Sequence, residues 1–500
     1  MNGHRRWSLA AAGTGIVAVL LAAGTSALGE SAASPGLGAA TFHPPWDLGL
    51  HPSSVLVTAV LAAALALATV SVVCGLVAVA RGARPRPAAV AIAALAAVAL
   101  LVVVPPLGSA DHLSYVAYGR IAAAGNDPYV QDPLAWRGGT DPVAGAIQPP
   151  WQHAPSVYGP VATLAQAAVA ATGGGSLRLT VWLWQLLCGA AFLGAALALD
   201  RITRADPAAR ARGAVLWTLN PLVLQQLVLG AHVDVIAAAL AAAALATMIR
   251  TPLIAGMLLG AAAGTKVPYA VFAVAIAWGL RRLPRPRALR AAALAIAGAG
   301  LVLVPAHVWS GPHTYDQLRE NSRFISFATP WRLLADQLDP VFGRQPVRTF
   351  AQYAAVACAL GLALLLSRRL RRLPAAGDPV TADAARAALL LCAAWILTTP
   401  YALPWYDPMA WVPLVLVAPS PLDGALLARL AALALAYVPG RTVGLSPGVE
   451  RLTLGFRRDV APWLTLAVVI AVVLWTSGLW RWRPGAESRR PAPEPAHLPR

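Results

Sequence analysis

The sequence predicts an all-α fold that crosses a membrane many times. Three observations carry this. Of the 500 residues, 58% are hydrophobic and only 12% charged, whereas an ordinary soluble domain is about a quarter charged. Apolar stretches recur at roughly 20 residues, the length a helix needs to cross the hydrocarbon core of a bilayer. The 39 Lys and Arg, set against 21 Asp and Glu, gather in clusters between those stretches. A chain this apolar cannot keep its surface in water, so a soluble enzyme is excluded. The net charge of +18 reads first as an orientation signal, because basic residues collect on the cytoplasmic side of membrane proteins. No nucleic-acid partner is needed to account for it. The 42 prolines and 41 glycines exclude a plain bundle of straight helices and suit broken helices around a cavity.

Residues 8–28 follow Arg5-Arg6 and read either as a signal peptide or as an uncleaved first span. The need for further spans favours the second. Spans follow at 54–80, 88–107, 179–199 and 213–230. The apolar zone 234–280 is cut by Arg250-Thr251-Pro252 and by Thr265-Lys266-Val267-Pro268. Proline removes a backbone donor and restricts its predecessor, so three short helices are expected there. Later spans lie at 288–308, 350–366, 384–400, 405–419, 421–438 and 460–480. Segment 159–172 is too short to cross. The basic clusters at 5–6, 81–86, 201–212, 281–290, 368–372 and 481–490 share one side only if 159–172 is re-entrant or interfacial. The expected product is a single membrane-embedded domain over 1–480 with about 14 transmembrane helices and both termini cytoplasmic. Two long outer loops span 108–178 and 309–349, a shorter one spans 439–459, and 481–500 form a disordered cytoplasmic tail.

Cys74, Cys188, Cys358 and Cys392 sit in apolar runs at unrelated spacings. They read as small packing residues, and no metal site is expected. Chemistry should lie where charges border apolar helices at the outer face, since such charges are costly to keep. Asp111 directly follows the third span, with Tyr115 and Tyr118 three residues apart on one helix face and Asp127 in Gly125-Asn126-Asp127-Pro128-Tyr129. The helix would lie on the membrane and present its rings to lipid or sugar; alternatively, Asp111 is an N-cap. Tyr158-Gly159-Pro160 closes the first outer loop and is either turn chemistry or part of a site. His232 and Asp234 share a tight outer hairpin, where Asp234 is again a possible cap. Lys266 is the sole lysine. It is either a snorkelling interfacial residue or a point charge for a phosphate. Arg319, Arg323 and Arg332 stand in the second outer loop near Glu320 and Asp336, as an anion site or as ordinary surface ion pairs. Tyr401, Trp405 and Tyr406 sit at another outer helix end, as an interfacial belt or a stacking platform for sugars. No GxGxxG, Walker loop, HExxH or GxSxG accompanies them.

Taken together, Asp111 with Tyr115-Val116-Ala117-Tyr118-Gly119-Arg120, Asp127-Pro128-Tyr129, Ser156-Val157-Tyr158-Gly159-Pro160, Leu219-Asn220-Pro221-Leu222, His232-Val233-Asp234, Lys266-Val267-Pro268 and Leu403-Pro404-Trp405-Tyr406 form a pattern. It resembles the GT-C fold membrane glycosyltransferases, and among them the actinobacterial polyprenol-phosphate-mannose-dependent α-(1→6)-mannosyltransferases. The pieces run in that family's order from about residue 105 to 410. One departs: the family often has His-Asn-Asp where Val233 stands here, which removes a polar contact.

The resemblance implies transfer of a mannosyl group from polyprenyl phosphate to a glycolipid or glycan acceptor at the outer face of the cell membrane. It implies inversion at the anomeric carbon, in lipomannan- or lipoarabinomannan-type envelope assembly. Asp111 would be the general base. Lys266 with Arg323 or Arg319 would take the donor phosphate. His232, Asp234, Tyr115, Tyr158, Asp127 and Trp405 would position donor or acceptor. No metal or cofactor is implied, because the donor is not a nucleotide sugar. Two alternatives stay open on the residues alone. One is a secondary transporter or flippase of a lipid-linked sugar, although no internal repeat is visible and the charges avoid the midplane. The other is a GT-C enzyme for another polyprenyl-linked sugar, such as arabinose.

Overall fold

The computed structural model describes residues 3–480. The expected tail at 481–500, with its basic cluster, lies outside the described residues. Among those described the protein is all-helical, with one isolated antiparallel bridge between Ala375 and Val417. Its helices are α1 (Arg5–Ala27), α2 (Ser54–Ala80), α3 (Pro87–Val102), α4 (Asp111–Ala123), α5 (Pro160–Gly173), α6 (Leu177–Thr203), α7 (Pro207–Gly213), α8 (Pro221–Leu224), α9 (Asp234–Thr247) and α10 (Pro252–Thr265). They continue as α11 (Val271–Leu280), α12 (Arg285–Ser310), α13 (Asp316–Asn321), α14 (Pro330–Phe342), α15 (Arg344–Leu370), α16 (Pro379–Thr398), α17 (Pro408–Leu416), α18 (Pro421–Ala436), α19 (Pro447–Gly455) and α20 (Ala461–Ser477).

Many of the prolines begin helices instead of breaking them. Pro87, Pro160, Pro207, Pro221, Pro252, Pro379, Pro408 and Pro421 all stand in a first turn. There the missing N–H would have had no partner anyway. Asp206, Asn220, Asp378 and Ser420 cap the helices that follow them through their side chains.

Among the described residues seven helical stretches are long and apolar enough to cross a membrane: α1, α2, α6, α12, α15, α16 and the composite Pro447–Ser477. Pro87–Val102, Asp234–Thr247, Pro252–Thr265 and Val267–Leu280 are shorter apolar helices. The last three of these divide 234–280 as the two proline cuts require. The expected unbroken helix at 213–230 is corrected. It is α7, a π turn at Ala214–Thr218, α8 and a second π turn at Gln225–Leu229. The Asn220 side chain accepts from the Leu222 and Val223 amides and starts a fresh helix at Pro221. A continuous helix would have left the proline without its donor bond.

The core is built from the middle of the bundle. Every residue of α17 is buried, and Trp184, Trp217, Trp411, Phe192 and Phe272 are fully enclosed. Large apolar side chains are left outside on α3, α12, α15 and α20, among them Ile92, Ile296, Leu364 and Trp463. An exterior carrying this many large apolar side chains belongs in lipid.

The connecting segments collect at two ends. At one, Leu107 donates to the Leu229 carbonyl and Gly108 to Ala33. There too Gly159 donates to Thr265, Ser326 to Pro400 and Arg441 to Ala32. At the other, the Arg212 guanidinium grips Asp423, while Arg282 and Arg386 converge on Asp383. Both ends of α5 lie at the first of these. Gly159 precedes it there, and Arg178 just beyond it donates to the Gly38 carbonyl and to Asp47.

Candidate active site

A cavity of about 380 Å³ opens at the first end. Asp111, Ser114 and Tyr118 of α4, the loop around Tyr158, Asp234 of α9, Lys266 after α10, and the segment 399–409 line it. Ala355 and Val356 of α15 and Trp395 and Ile396 of α16 supply an apolar wall. A polar floor with one apolar side suits a ligand that is part sugar, part lipid.

Asp111 is the first residue of α4, a helix of 13 residues that is not among the apolar ones. The N-cap is Ala110, and the Asp111 carboxylate caps nothing. Its position at a helix N-terminus favours the anion. Burial outweighs that and pushes its pKa up to about 7, opposed by the Lys266 ammonium and reinforced by Asp234. The carboxylate is thus poised to exchange a proton near neutrality.

A short relay holds Asp111 in place. The Gln226 carbonyl can only accept, so the 2.5 Å contact with His232 Nδ1 puts the proton on that nitrogen. Neutral His232 then accepts at Nε2 from the Ser109 hydroxyl, 3.0 Å away, and Ser109 Oγ accepts the Asp111 amide at 3.2 Å. The His232 Nε2 atom stands 3.9 Å from the Asp111 carboxylate. Burial drives the His232 pKa down to about 3, so the imidazole is a neutral strut. The ring stacks on Trp405 with centroids 3.8 Å apart.

Lys266 turns inward. Its Nζ lies 2.5 Å from Asp234 Oδ1 and 3.5 Å from the centre of the Tyr406 ring. Antiparallel α9 and α10 have 14 residues each, so the first residue of one meets the residue after the other. Burial lowers the Lys266 pKa, and Asp234 opposes the shift. The second oxygen of Asp234, Oδ2, is buried and has no hydrogen-bond partner among the described residues. It is a free acceptor at the cavity wall.

Tyr158 reaches the cavity because of the glycine after it. A Cβ at Gly159 would overlap the Gly264 carbonyl, and only a bare backbone allows the loop to lie against the turn carrying Lys266. Gly159→Ala is therefore expected to separate Tyr158 from Lys266. It should cost about 1–3 kcal/mol through overpacking and lower turnover about a hundredfold through misplacement. A thermal melt and a transfer assay on the same preparation check both; unchanged turnover would mean the close approach is dispensable.

The other expected residues divide. Trp405 lies beneath the cavity against His232 and does not line it. Tyr115 is buried behind Tyr158, with ring centroids 5.0 Å apart. The picture of α4 as a surface helix displaying aromatics is corrected: residues 112–119 are all buried, because α5, α6 and the following loop cover it. The Asp127 carboxylate accepts from the Tyr129 amide at 2.8 Å and shapes a turn away from the cavity. Arg319 is exposed and pairs with Asp316 at 3.1 Å, and neither it nor Arg323 lines the cavity. Arg332 pairs with Asp336.

One charged residue of the cavity escaped the sequence reading. Arg429 of α18 is 3% exposed, lines the cavity, and has Asp407 3.3 Å away. Its Nε and Nη2 make no hydrogen bond among the described residues. The signal was present in the sequence as an arginine inside an apolar helix. Among the described residues no three His, Cys, Asp or Glu side chains converge on one point.

Residues 11–282 match the family described as Alpha-(1->6)-mannopyranosyltransferase, N-terminal domain. A stretch of 135 residues is 29% identical to Alpha-(1->6)-mannopyranosyltransferase B of Corynebacterium glutamicum, covering 27% of this chain and 22% of that protein. A stretch of 135 residues is 29% identical to a probable alpha-(1->6)-mannopyranosyltransferase of Mycolicibacterium smegmatis, covering 26% of this chain and 24% of the relative. Each match thus spans less than a quarter of the relative's length. No solved structure gives a significant match.

Proposed function

We propose that this chain, which belongs to the Alpha-(1->6)-mannopyranosyltransferase family, moves a mannosyl group from a polyprenyl-phosphate donor to a hydroxyl of a glycolipid or glycan acceptor. The product carries an α-(1→6) linkage of the lipomannan or lipoarabinomannan kind. The observation that carries this reading is the juxtaposition, in one cavity with an apolar wall, of a carboxylate near neutrality, the half-buried Lys266 and the buried Arg429.

Asp111 takes the proton of the acceptor hydroxyl. The acceptor oxygen attacks the anomeric carbon from the face opposite the phosphate, the bond from that carbon to the phosphate oxygen breaks, and polyprenyl phosphate leaves. Lys266 and Arg429 receive the charge that grows on the leaving oxygen. Arg429 takes the place that the sequence reading gave to Arg319 or Arg323. Asp234 Oδ2 accepts from a sugar hydroxyl, and Tyr158 covers the sugar. The prenyl chain lies along Ala355, Val356 and Trp395.

The same reading makes about 14 membrane crossings, with α4 and α5 not crossing, the cavity at the extracytoplasmic face of the cell membrane and the termini on the cytoplasmic side. The gathering of alternate loops at two ends supports it, as does the position of both ends of α5 at one of them.

The test is product analysis. Protein in liposomes receives labelled polyprenyl-phosphate mannose and a glycolipid extract. A new glycosidic bond, released by an α-(1→6)-specific mannosidase, is expected. Label that crosses the bilayer with no new bond would instead identify a transporter. A pH dependence follows from Asp111. Its folded pKa is raised by burial, so the base form prevails only above about 7, and the rate should fall about tenfold per unit below that. Initial rates between about pH 5 and 9 read this limb; a flat profile down to pH 5 would remove Asp111 from proton transfer.

A further inference from the structure

The opposite end of the bundle holds a second cavity, of about 640 Å³, between the starting half of α3 and the finishing half of α6 and bordered on a third side by α7 and the turn Ala214–Thr218. Its shape has a simple origin. Near the catalytic end the two helices touch closely. A Cβ at Gly189 of α6 would sit only 2.9 Å from Val98 Cγ1 and 3.0 Å from Val102 Cγ1. Away from that contact they diverge and leave a wedge. Val90 and Ala94 of α3 and Leu193, Ala196 and Leu197 of α6 form its sides.

The rim has a different chemistry. Arg84 and Arg86 stand on the α3 side, Arg204 and Arg210 on the α6 side. The single carboxylate in the lining, Asp200, is consumed by Arg210 through contacts of 2.5 and 2.8 Å. Arg84 donates to the Val79 and Ala83 carbonyls. Arg86 and Arg204 are exposed and have no carboxylate in ion-pair reach among the described residues. The wedge therefore joins an apolar slot to two uncompensated cations, at the depth where a headgroup meets its chains.

We propose that this cleft binds an anionic phospholipid of the leaflet opposite the candidate active site. Its phosphate would lie between Arg86 and Arg204 and one acyl chain between α3 and α6. Charge complementarity selects the headgroup, because a zwitterionic lipid brings a cation that the arginines repel. The slot selects a chain-bearing ligand over a free phosphate, because an empty apolar wedge between packed helices forfeits dispersion contacts on both walls.

Native mass spectrometry of the purified full-length protein tests this. The protein in neutral detergent is titrated with phosphatidylglycerol, with phosphatidylethanolamine of the same chains, and with glycerol 3-phosphate. Phosphatidylglycerol should be retained preferentially and glycerol 3-phosphate not at all. R86Q/R204Q should weaken phosphatidylglycerol about thirtyfold, to the level of the zwitterion, given the attraction typical of two arginines beside an anionic surface. Ala94→Leu, which fills the slot and leaves the charges, should weaken both lipids. Equal retention of the two lipids overturns the proposal. So does a preference that survives R86Q/R204Q, or binding of glycerol 3-phosphate alone.

Discussion

Asp111→Asn is expected to lower mannosyl transfer by about 10²–10⁴-fold, the range a positioned general base contributes, while leaving the donor bound. Asn keeps the shape and the α4 N-terminus but cannot take a proton at neutral pH. The relay through Ser109 and His232 reaches the backbone amide of residue 111 and not its side chain, so the substitution leaves that support intact. Two readouts on one preparation decide the matter: single-turnover transfer, and retention of a labelled polyprenyl phosphate. Loss of turnover with donor retained is the expected pair. Full turnover in Asp111→Asn would eliminate the carboxylate as the base, and a neighbouring group would have to be sought.

Lys266→Met is expected to weaken donor binding strongly, and the structure shows why that variant alone is ambiguous. Removing the ammonium leaves Asp234, 1% exposed, without the cation 2.5 Å from it. Stranding one partner of a buried pair costs about 3–5 kcal/mol. Part of any loss would then be loss of fold. Lys266→Met with Asp234→Asn separates the effects, since neutralising both partners removes the stranded charge. The double variant should regain most of the melting temperature and still bind polyprenyl phosphate at least tenfold more weakly, as expected when a charge-assisted bond to phosphate is lost. Recovery of donor affinity together with stability would make Lys266 a purely architectural partner of Asp234.

Much of this was legible in the chain. Apolar runs of crossing length located the long helices, and the two proline cuts divided 234–280 correctly, because bilayer thickness and proline sterics act locally. Asp111, Asp234 and Lys266 stood out because charge next to apolar helix is costly wherever it occurs. Their mutual arrangement was less visible. That Lys266 meets Asp234 follows from the equal lengths of α9 and α10, a relation between two elements. Asn220 hid a helix start inside an apolar run, since apolarity does not report where one helix yields to the next. Arg319 and Arg323 looked suitable by position in the chain. Leu318, Asn321 and Ser322 do line the cavity, but Arg319 is engaged by Asp316 and neither arginine reaches the lining. Arg429 was missed for the converse reason: its partner Asp407 stands in the turn before α17, 22 residues away in sequence, and nothing nearby marks the pair.

The turn at Pro404–Tyr406 and the residue after it bear on how the protein is made. Three consecutive side chains there serve three partners. Trp405 stacks on His232, Tyr406 lies under Lys266, and Asp407 faces Arg429. Most of the polar chemistry resides in the first 282 residues, but the contacts that Trp405, Tyr406 and Asp407 add to it are complete only once the ribosome has delivered residue 429. A nascent chain paused before that point would carry Lys266 without the Tyr406 ring and His232 without the Trp405 stack. The later helices thus finish a site whose first supports, from Ser109 to Lys266, are already present in the early chain.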